Sequence, residues 1–366
     1  SRAKRLVKNN SIVYSTVRPI QRHYGVIINP AVNLVVSTGF TVIDSIENKS
    51  NNIFIYYFLT ANKIVKKLDM IANGTVSTYP SIKPIDIESL SINLPPLPEQ
   101  KSIANILSVF DEKIELLRKQ NETLETIAQR VFKEWFINFK YPDATGEMID
   151  SELGEIPKEW RVYELIELVN IVNGYSYIGK ELVESSDEAL VTLKSFNRNG
   201  GFQTRGFKPF SGNPNPQQEV SIGDLIVAHT DLTQDAEVLG NPAFVFEDGG
   251  FNKMFITMDL VKVNSNIEHI DNAFLYYVMK DRSFKGHCIG YSNGTTVLHL
   301  SKKAIPEYRL VLPEDLSLAK DFSDMAYSMT RKISNNISQI QTLTKTRDTL
   351  LPKLVSGGIR VEGLGS

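Results

Sequence analysis

The sequence is poor in the residues that build covalent or metal frameworks. Its 366 residues contain one cysteine, Cys288, which excludes an internal disulfide and a multi-thiolate metal site. Long apolar stretches are missing as well. The runs around Ile53 to Leu59 and Phe274 to Met279 fall far short of the roughly 18 residues that cross a bilayer. The opening segment SRAKRLVKNNSIVYS carries no apolar h-region and no small-residue cleavage site, so secretion has no support and a cytoplasmic location is expected. Neither the G-x-x-x-x-G-K-[ST] loop that cradles a triphosphate nor the G-x-G-x-x-G turn of dinucleotide sites occurs. Asn-Pro pairs at Asn29, Asn213, Asn215 and Asn241 lack the second proline and aromatic residue with which amino-methylating enzymes hold a flipped base. The histidines, His23, His229, His269, His287 and His299, show no i, i+4 metal spacing, and His287 beside Cys288 supplies only two ligands. None of these motifs displays a catalytic centre.

What is present reads as an ordinary globular protein, 42% hydrophobic and 22% charged, long enough for two or three domains. The net charge of -2 conceals local asymmetry. From Ser1 to Ile43 there are six basic residues, Arg2, Lys4, Arg5, Lys8, Arg18 and Arg22, and no acid. Between Ala189 and Gln218 stand Lys194, Arg198, Arg205 and Lys208, again without an acid. Two acid-free basic blocks read as two electrostatic footprints for a polyanion.

The dominant feature is an internal repeat. NNIFIYYFLT from Asn51 matches DNAFLYYVMK from Asp271, and NGTVS from Asn73 matches NGTTV from Asn293, both at an offset of 220. INLPPLPEQ from Ile92 matches LVLPEDLSL from Leu310 at 218, and SIVYST from Ser11 resembles DLIVAHT from Asp224 at 213. Each half joins a mixed region to a long helix. Runs such as IVYSTV, GVIINP, LVVSTGF, DLIVAH and MFITMDLV are β-branched or aromatic and bounded by Gly, Asn and Pro, which predicts strands. Short helices are expected at Ile53 to Leu68 and Ile270 to Phe284. The stiff segment LPPLP from Leu94 marks a boundary, after which Glu99 and Gln100 suit a first helical turn. Ser1 already aligns near Pro214, so roughly 50 residues of the first module are expected to lie outside this sequence.

The helical part carries a seam at Ile103, Leu107, Phe110, Ile114, Leu117, Asn121, Leu124, Ala128, Val131 and Trp135, spaced 4, 3, 4, 3, a heptad pattern. The second half repeats it at Phe322, Ala326, Met329, Ile333, Asn336, Ile340, Leu343, Arg347, Leu350 and Leu354, each 219 later. In an antiparallel pairing, residues whose numbers sum to 457 face each other, so Asn121 meets Asn336. The asparagines choose that register, because a slip by one heptad would bury each amide against Leu or Ile without a partner. Arg347 is then expected to lay its stem on Phe110. The off-seam apolar residues Ile106, Val109, Leu116, Ile127, Phe132 and Phe136 exceed what two helices bury; they dock a partner or pack on the globular modules.

At this point LPPLPEQKSIANILSVFDEKIELLRKQNETLETIAQRVFKEWF from Leu94, DSELGEIPKEW from Asp150 and LLPKLVSGGI from Leu350 carry a resemblance. The chain resembles the specificity subunit of type I restriction-modification enzymes, the HsdS family. The resemblance implies an α+β fold with an internal pseudo-twofold repeat, in which two α/β target recognition domains are separated by two long antiparallel coiled-coil helices. On that reading the chain divides into residues 1-95, an N-terminally incomplete first recognition domain; 96-140, a central helix; 141-159, a linker; 160-313, a second recognition domain; 314-358, a distal helix; and 359-366, a tail. It also implies double-stranded DNA as ligand, each domain reading half of a bipartite asymmetric target. The implied partners are two methyltransferase (modification) subunits and, in the full enzyme, restriction subunits. On the same resemblance S-adenosylmethionine, ATP and Mg2+ belong to those partners, with no cofactor in this chain, which is itself expected to be non-catalytic. A non-enzymatic coiled-coil adaptor that binds proteins through its globular ends is the alternative, favoured by the near-neutral charge.

For a DNA reader, phosphate contacts set affinity and base-edge contacts set sequence. Lys4, Arg5, Lys8, Arg18, Arg22, Lys194, Arg198, Arg205 and Lys208 are candidates for phosphate or guanine contact. The recurring polar loops add Thr75, Ser77, Thr78 and Tyr79 in the first half and Thr295, Thr296 and His299 in the second. A further loop holds His229, Thr230, Asp231, Thr233 and Gln234; Asp231 is a candidate acceptor from cytosine N4. Seven acids and no Lys or Arg between Glu219 and Asp248 count against that loop, since they would repel phosphate.

Overall fold

The computed structural model describes residues 3–74, 79–198 and 201–361. Its helices are α1 (Asn52–Thr60), α2 (Asn62–Asn73), α3 (Pro84–Glu88), α4 (Leu97–Phe132), α5 (Asn272–Lys280), α6 (Arg282–Gly290) and α7 (Ser317–Val355), and a π-helical turn at Lys133–Ile137 follows α4. Each short helix expected from the sequence is in fact two. The breaks fall at Ala61 and Asp281, 220 apart, both with extended backbone (ψ 134° and 149°). At Asp281 the cause is visible: its carboxylate accepts from the Ser283 backbone and hydroxyl at 2.8 and 2.6 Å, starting a new helix. MFITMDLV likewise splits into strands Lys253–Ile256 and Leu260–Ser265 in different sheets.

The chain forms two compact units, Ser1–Leu117 with Gln339–Ser366, and Arg118–Ser338. The division runs through α4 and α7, so each unit holds one globular module and one end of each long helix.

In the first unit, strand Ile12–Ser15 lies between Tyr24–Val26 and Phe40–Ile43, all antiparallel. α1 and α2 cover this sheet with Tyr14, Leu59, Leu68 and Ala72 in the core. A second cluster joins Phe54 and Tyr57 of α1 to Ile103 and Leu107 of α4 and Leu351, Leu354 and Val355 of α7. Gln100 is 1% exposed because it ties these parts together: its Oε1 accepts from the Asn51 N–H at 2.9 Å and its Nε2 donates to the Pro95 and Lys49 carbonyls at 2.8 and 3.1 Å.

The second unit repeats the motif. Strand Leu225–Ala228 lies between Pro242–Phe244 and Leu260–Ser265, with Val169–Asn173 beyond. A second four-stranded sheet, in the order Lys208–Pro209, Glu188–Val191, Lys253–Ile256, Glu219–Val220, packs beside it. The largest core gathers α5, α6 and both long helices around aromatic rings, with Phe322 within 5.8 Å of Phe132, Phe136, Phe274 and Tyr277, centroid to centroid.

The helix register matches the expectation within each unit. In the second, Asn336 Nδ2 donates to Asn121 Oδ1 at 2.7 Å, and the Trp135 and Phe322 rings, whose numbers also sum to 457, lie 6.3 Å apart. In the first, Ile103 and Leu354 share one cluster. One expectation needs correcting, and one pair of alternatives is decided for two residues. Arg347 does not simply lie along Phe110: its guanidinium pairs with Asp111, one residue from the seam, and with Asp348 at 2.7 Å. Of the off-seam apolar residues, Phe132 and Phe136 are buried in the second unit's core, whereas Val109, Leu116 and Ile127 stand exposed.

Candidate nucleic-acid interface

Strand Leu225–Ala228 is buried along its whole length and delivers the chain into the polar loop that starts at His229. Thr230–Asp231 then pairs with Leu298–Leu300, which pairs back with Ser292–Asn293. The tight return at Asn293-Gly294 depends on glycine: Gly294 has φ +120° and a Cβ there would sit 2.0 Å from the Val297 carbonyl oxygen. This pairing joins the two polar loops of the second module. The Thr230 hydroxyl meets His299 Nδ1 at 3.3 Å, and Gln234 Nε2 donates to the Thr295 carbonyl. Thr295, Thr296 and His299 are exposed.

The basic segment arrives at the same place. Gly206 lets the Thr204–Gly206 turn close against Lys194 and Ser195, since a Cβ there would lie 2.3 Å from the Ser195 nitrogen. Lys194 and Arg205 thereby share a cleft of about 790 Å³ with Asn197, Arg198, Gln203, Leu232, Thr233 and Glu237. Lys208 lies outside it, its ammonium 3.3 Å from the Tyr177 hydroxyl.

Asp231 faces inward. It is 2% exposed, and its carboxylate accepts from the Thr233 N–H and hydroxyl, both at 2.8 Å, and from the Val238 and Leu239 N–H groups at 2.6 and 3.1 Å. Burial pushes its pKa up, but these donors outweigh burial and hold it below the ordinary 3.8. The sequence reading made Asp231 an acceptor from cytosine; its oxygens are instead occupied in closing their own loop. The acidic character of this neighbourhood is also muted, because Glu237 pairs with Arg198 at 3.0 Å and Asp224 with Lys262 at 3.7 Å. His229 points elsewhere, into a pocket with Asn170 and Lys302. Burial, aided by His299 and Lys302, lowers its pKa below 6.5.

The first unit presents a thinner set. Lys4 and Arg5 lie on the edge pair Ala3–Leu6 and Val35–Ser37. Lys8 pairs with Asp44 at 3.4 Å. Arg18 and Arg22, both exposed and in left-handed backbone (φ 47° and 58°), flank the single turn Pro19–Gln21. Arg22 donates to the Tyr24 hydroxyl at 3.2 Å and to Asn62 Oδ1 at 3.0 Å. Tyr79 is exposed; Thr75, Ser77 and Thr78 lie outside the described residues. Sequence reasoning missed Leu232, an apolar side chain 63% exposed at the tip of a polar loop, and the amides of Asn197 and Gln203 in the cleft. An isolated apolar residue between Asp231 and Thr233 was the available signal.

Comparison with known proteins bears on this geometry. Residues 2–126 match the family model described as "Type I restriction modification DNA specificity domain". The chain is 29% identical to the MjaIX specificity subunit of Methanocaldococcus jannaschii, over 85% of this chain and 70% of that one. It is 26% identical to the HindI specificity subunit of Haemophilus influenzae, over 98% and 88%. Residues 2–126 thus carry the match to a type I specificity domain, and over most of its length the chain is similar to type I restriction-modification specificity (HsdS) subunits. In fold, the chain is similar to the crystal structure of the S subunit from M. genitalium, with a TM-score of 0.59 at 17% identity, covering 96% of this chain and 84% of the other. Among the described residues no cluster of three metal-ligating side chains occurs, and no helix is long and apolar enough to cross a membrane.

Proposed function

We propose that this chain is a type I specificity subunit that reads a bipartite, asymmetric duplex DNA target in the cytoplasm. Each module reads one half, the helices between them set the gap, and the chain holds two modification subunits on the DNA. S-adenosylmethionine and adenine-N6 transfer belong to those subunits, and ATP and Mg2+ to restriction subunits where present; the chain itself does no chemistry. The observation that carries the reading is the cleft of the second module, where two separate sequence blocks converge. Lys194 and Arg205 supply phosphate or guanine contact, and Thr233, Gln234 and the Thr295–Thr296 loop supply hydroxyl and amide groups for base edges. Lys194 and Arg205 converge on a cleft whose two lining carboxylates are already partnered, Asp231 by its own loop and Glu237 by Arg198, an arrangement suited to a polyanion.

The test is to express the chain beside its modification subunits and map N6-methyladenine across the host genome by long-read sequencing. A two-part motif with a fixed gap is expected. A stable complex that methylates nothing would sink this reading in favour of a protein-binding adaptor.

A further inference from the structure

The loop after the central strand of the second module runs from His229 to Asn241, whereas its counterpart in the first module occupies only Thr16 to His23. A longer loop has more conformations to exclude, yet this one is fixed from two sides. From below, the Asp231 carboxylate holds the Val238 and Leu239 N–H groups. From the flank, Lys285 of α6 donates to the Ala236 and Leu239 carbonyls at 2.7 and 2.5 Å and to Asn241 Oδ1 at 2.9 Å. One acid thus collects the loop's amides and one base collects its carbonyls, leaving Leu232 and Thr233 at the cleft and Gln234 next to them on the Thr295 carbonyl. The repeat offers an internal control. The strand offset of 213 maps Asp231 onto Arg18, and the helix offset of 220 maps Lys285 onto Val65, which is 0% exposed. The short loop has neither group at these positions; its carboxylate contact, Asp69 of α2 to the Ile20 N–H at 3.3 Å, comes from a different place in the repeat.

We infer that Asp231 and Lys285 are positioning residues that hold the Leu232–Gln234 tip in one conformation, so that base preference at the second half-site depends on a lysine working through the loop backbone. This rests on the DNA-reading function proposed above. Preorganised loops discriminate because a wrong base leaves their groups unpaired.

The experiment is the same methylation mapping, with wild-type chain, Lys285→Met, Lys285→Arg and the surface variant Leu232→Ala/Gln234→Ala, each in complex with its modification subunits. Lys285→Met is expected to lower discrimination about tenfold at positions within one half of the motif, with the other half and the gap unchanged. Lys285→Arg, still able to donate to the carbonyls, is expected to restore the wild-type motif. The tip variant is expected to relax the same positions as Lys285→Met. A purely structural lysine would reduce methylation evenly at an unchanged motif, which would overturn the inference, as would an unchanged motif in the tip variant. If Lys285→Met fails to assemble, the tip variant alone decides on that criterion. Absence of any motif in the wild type would instead remove the function on which the inference stands, and that outcome is recognised by the wild type failing with the variants.

Discussion

The two modules share one framework and differ in what they hang on it. In both, an antiparallel strand sits between two neighbours, a helix pair broken by an extended residue covers the sheet, and an Asn or Asp caps the first helix of that pair. Asn51 accepts from the Phe54 N–H at 3.0 Å, and Asp271, its equivalent, from Phe274 at 2.8 Å. Even the backbone N–H of that capping residue finds a buried polar side chain on a long helix each time, Gln100 at 2.9 Å and Ser323 at 3.4 Å, though these partners occupy different positions in the repeat. Where the surfaces face outward, correspondence ends. The short loop has Pro19 buried between two left-handed arginines and one amide, Ile20 N–H, held at 3.3 Å by Asp69 of α2, while the long loop supplies its own acid, Asp231, and takes a lysine from α6. The framework is governed by apolar burial and cap satisfaction, which tolerate few solutions; the loops answer to no such common constraint.

The contrast can be tested most strongly in the cores. Phe322 lies in a ring cluster, and its equivalent in the repeat, Ile103, packs among aliphatic groups as well as Phe54 and Tyr57. Phe322→Ala is expected to cost about 3–5 kcal/mol and to open the second unit first, while Ile103→Ala costs about 2–5 kcal/mol and opens the first. Denaturant unfolding followed by hydrogen exchange reads both, and a swap of the affected units would break the contrast. Next come the polar interruptions of the helix seam. Asn336 is 0% exposed, so Asn336→Leu, which strands Asn121, is expected to cost about 1–3 kcal/mol, with much of that regained in the double variant Asn121→Leu/Asn336→Leu. In the first unit the Arg347–Asp111 pair is partly exposed, so Arg347→Ala is expected to cost about 1 kcal/mol or less. A cost for Arg347→Ala above that of Asn336→Leu would reverse the order of the two units.

The smallest effect distinguishes the modules by pH. His229 has its folded pKa below the ordinary 6.5, while its strand equivalent at offset 213 is Thr16, which does not titrate. Because the unfolded chain takes up this proton first, the stabilising contribution is full above about pH 6.5 and declines as pH falls toward the lowered folded value. Denaturation midpoints of the second unit should therefore fall between pH 7.5 and 5.5, and His229→Gln should flatten that dependence. A decline unaffected by His229→Gln would assign it to another group.

Much of the framework was legible because it is periodic. The heptad seam and its two asparagines fix a register through local spacing plus the cost of an unpaired amide, and Asn336 does meet Asn121. The break at Asp281 was less legible because the apolar run Phe274 to Met279 dominates the pattern, although Asp281 followed by Ser283 is a capping signal. The candidate cleft was half legible. Charge counting found Lys194, Arg198 and Arg205, and the repeat found the Thr295 loop, but their convergence depends on long-range strand pairing. Asp231 was misjudged because a loop aspartate reads as outward until the amides it serves are located. Lys285 was invisible for the same reason: its acceptors lie 44 to 49 residues earlier in the chain.

The division of the chain into Ser1–Leu117 with Gln339–Ser366, and Arg118–Ser338, has a bearing on inheritance. One unit is encoded by a single uninterrupted stretch, the other by two stretches at the ends of the sequence. A genetic exchange with crossovers near codons 118 and 338 transplants a complete unit together with its Asn121–Asn336 pair. Any exchange with one crossover separates the ends of the other unit from each other. Two crossovers therefore move the central unit whole, whereas the other unit moves whole only when both of its stretches are exchanged.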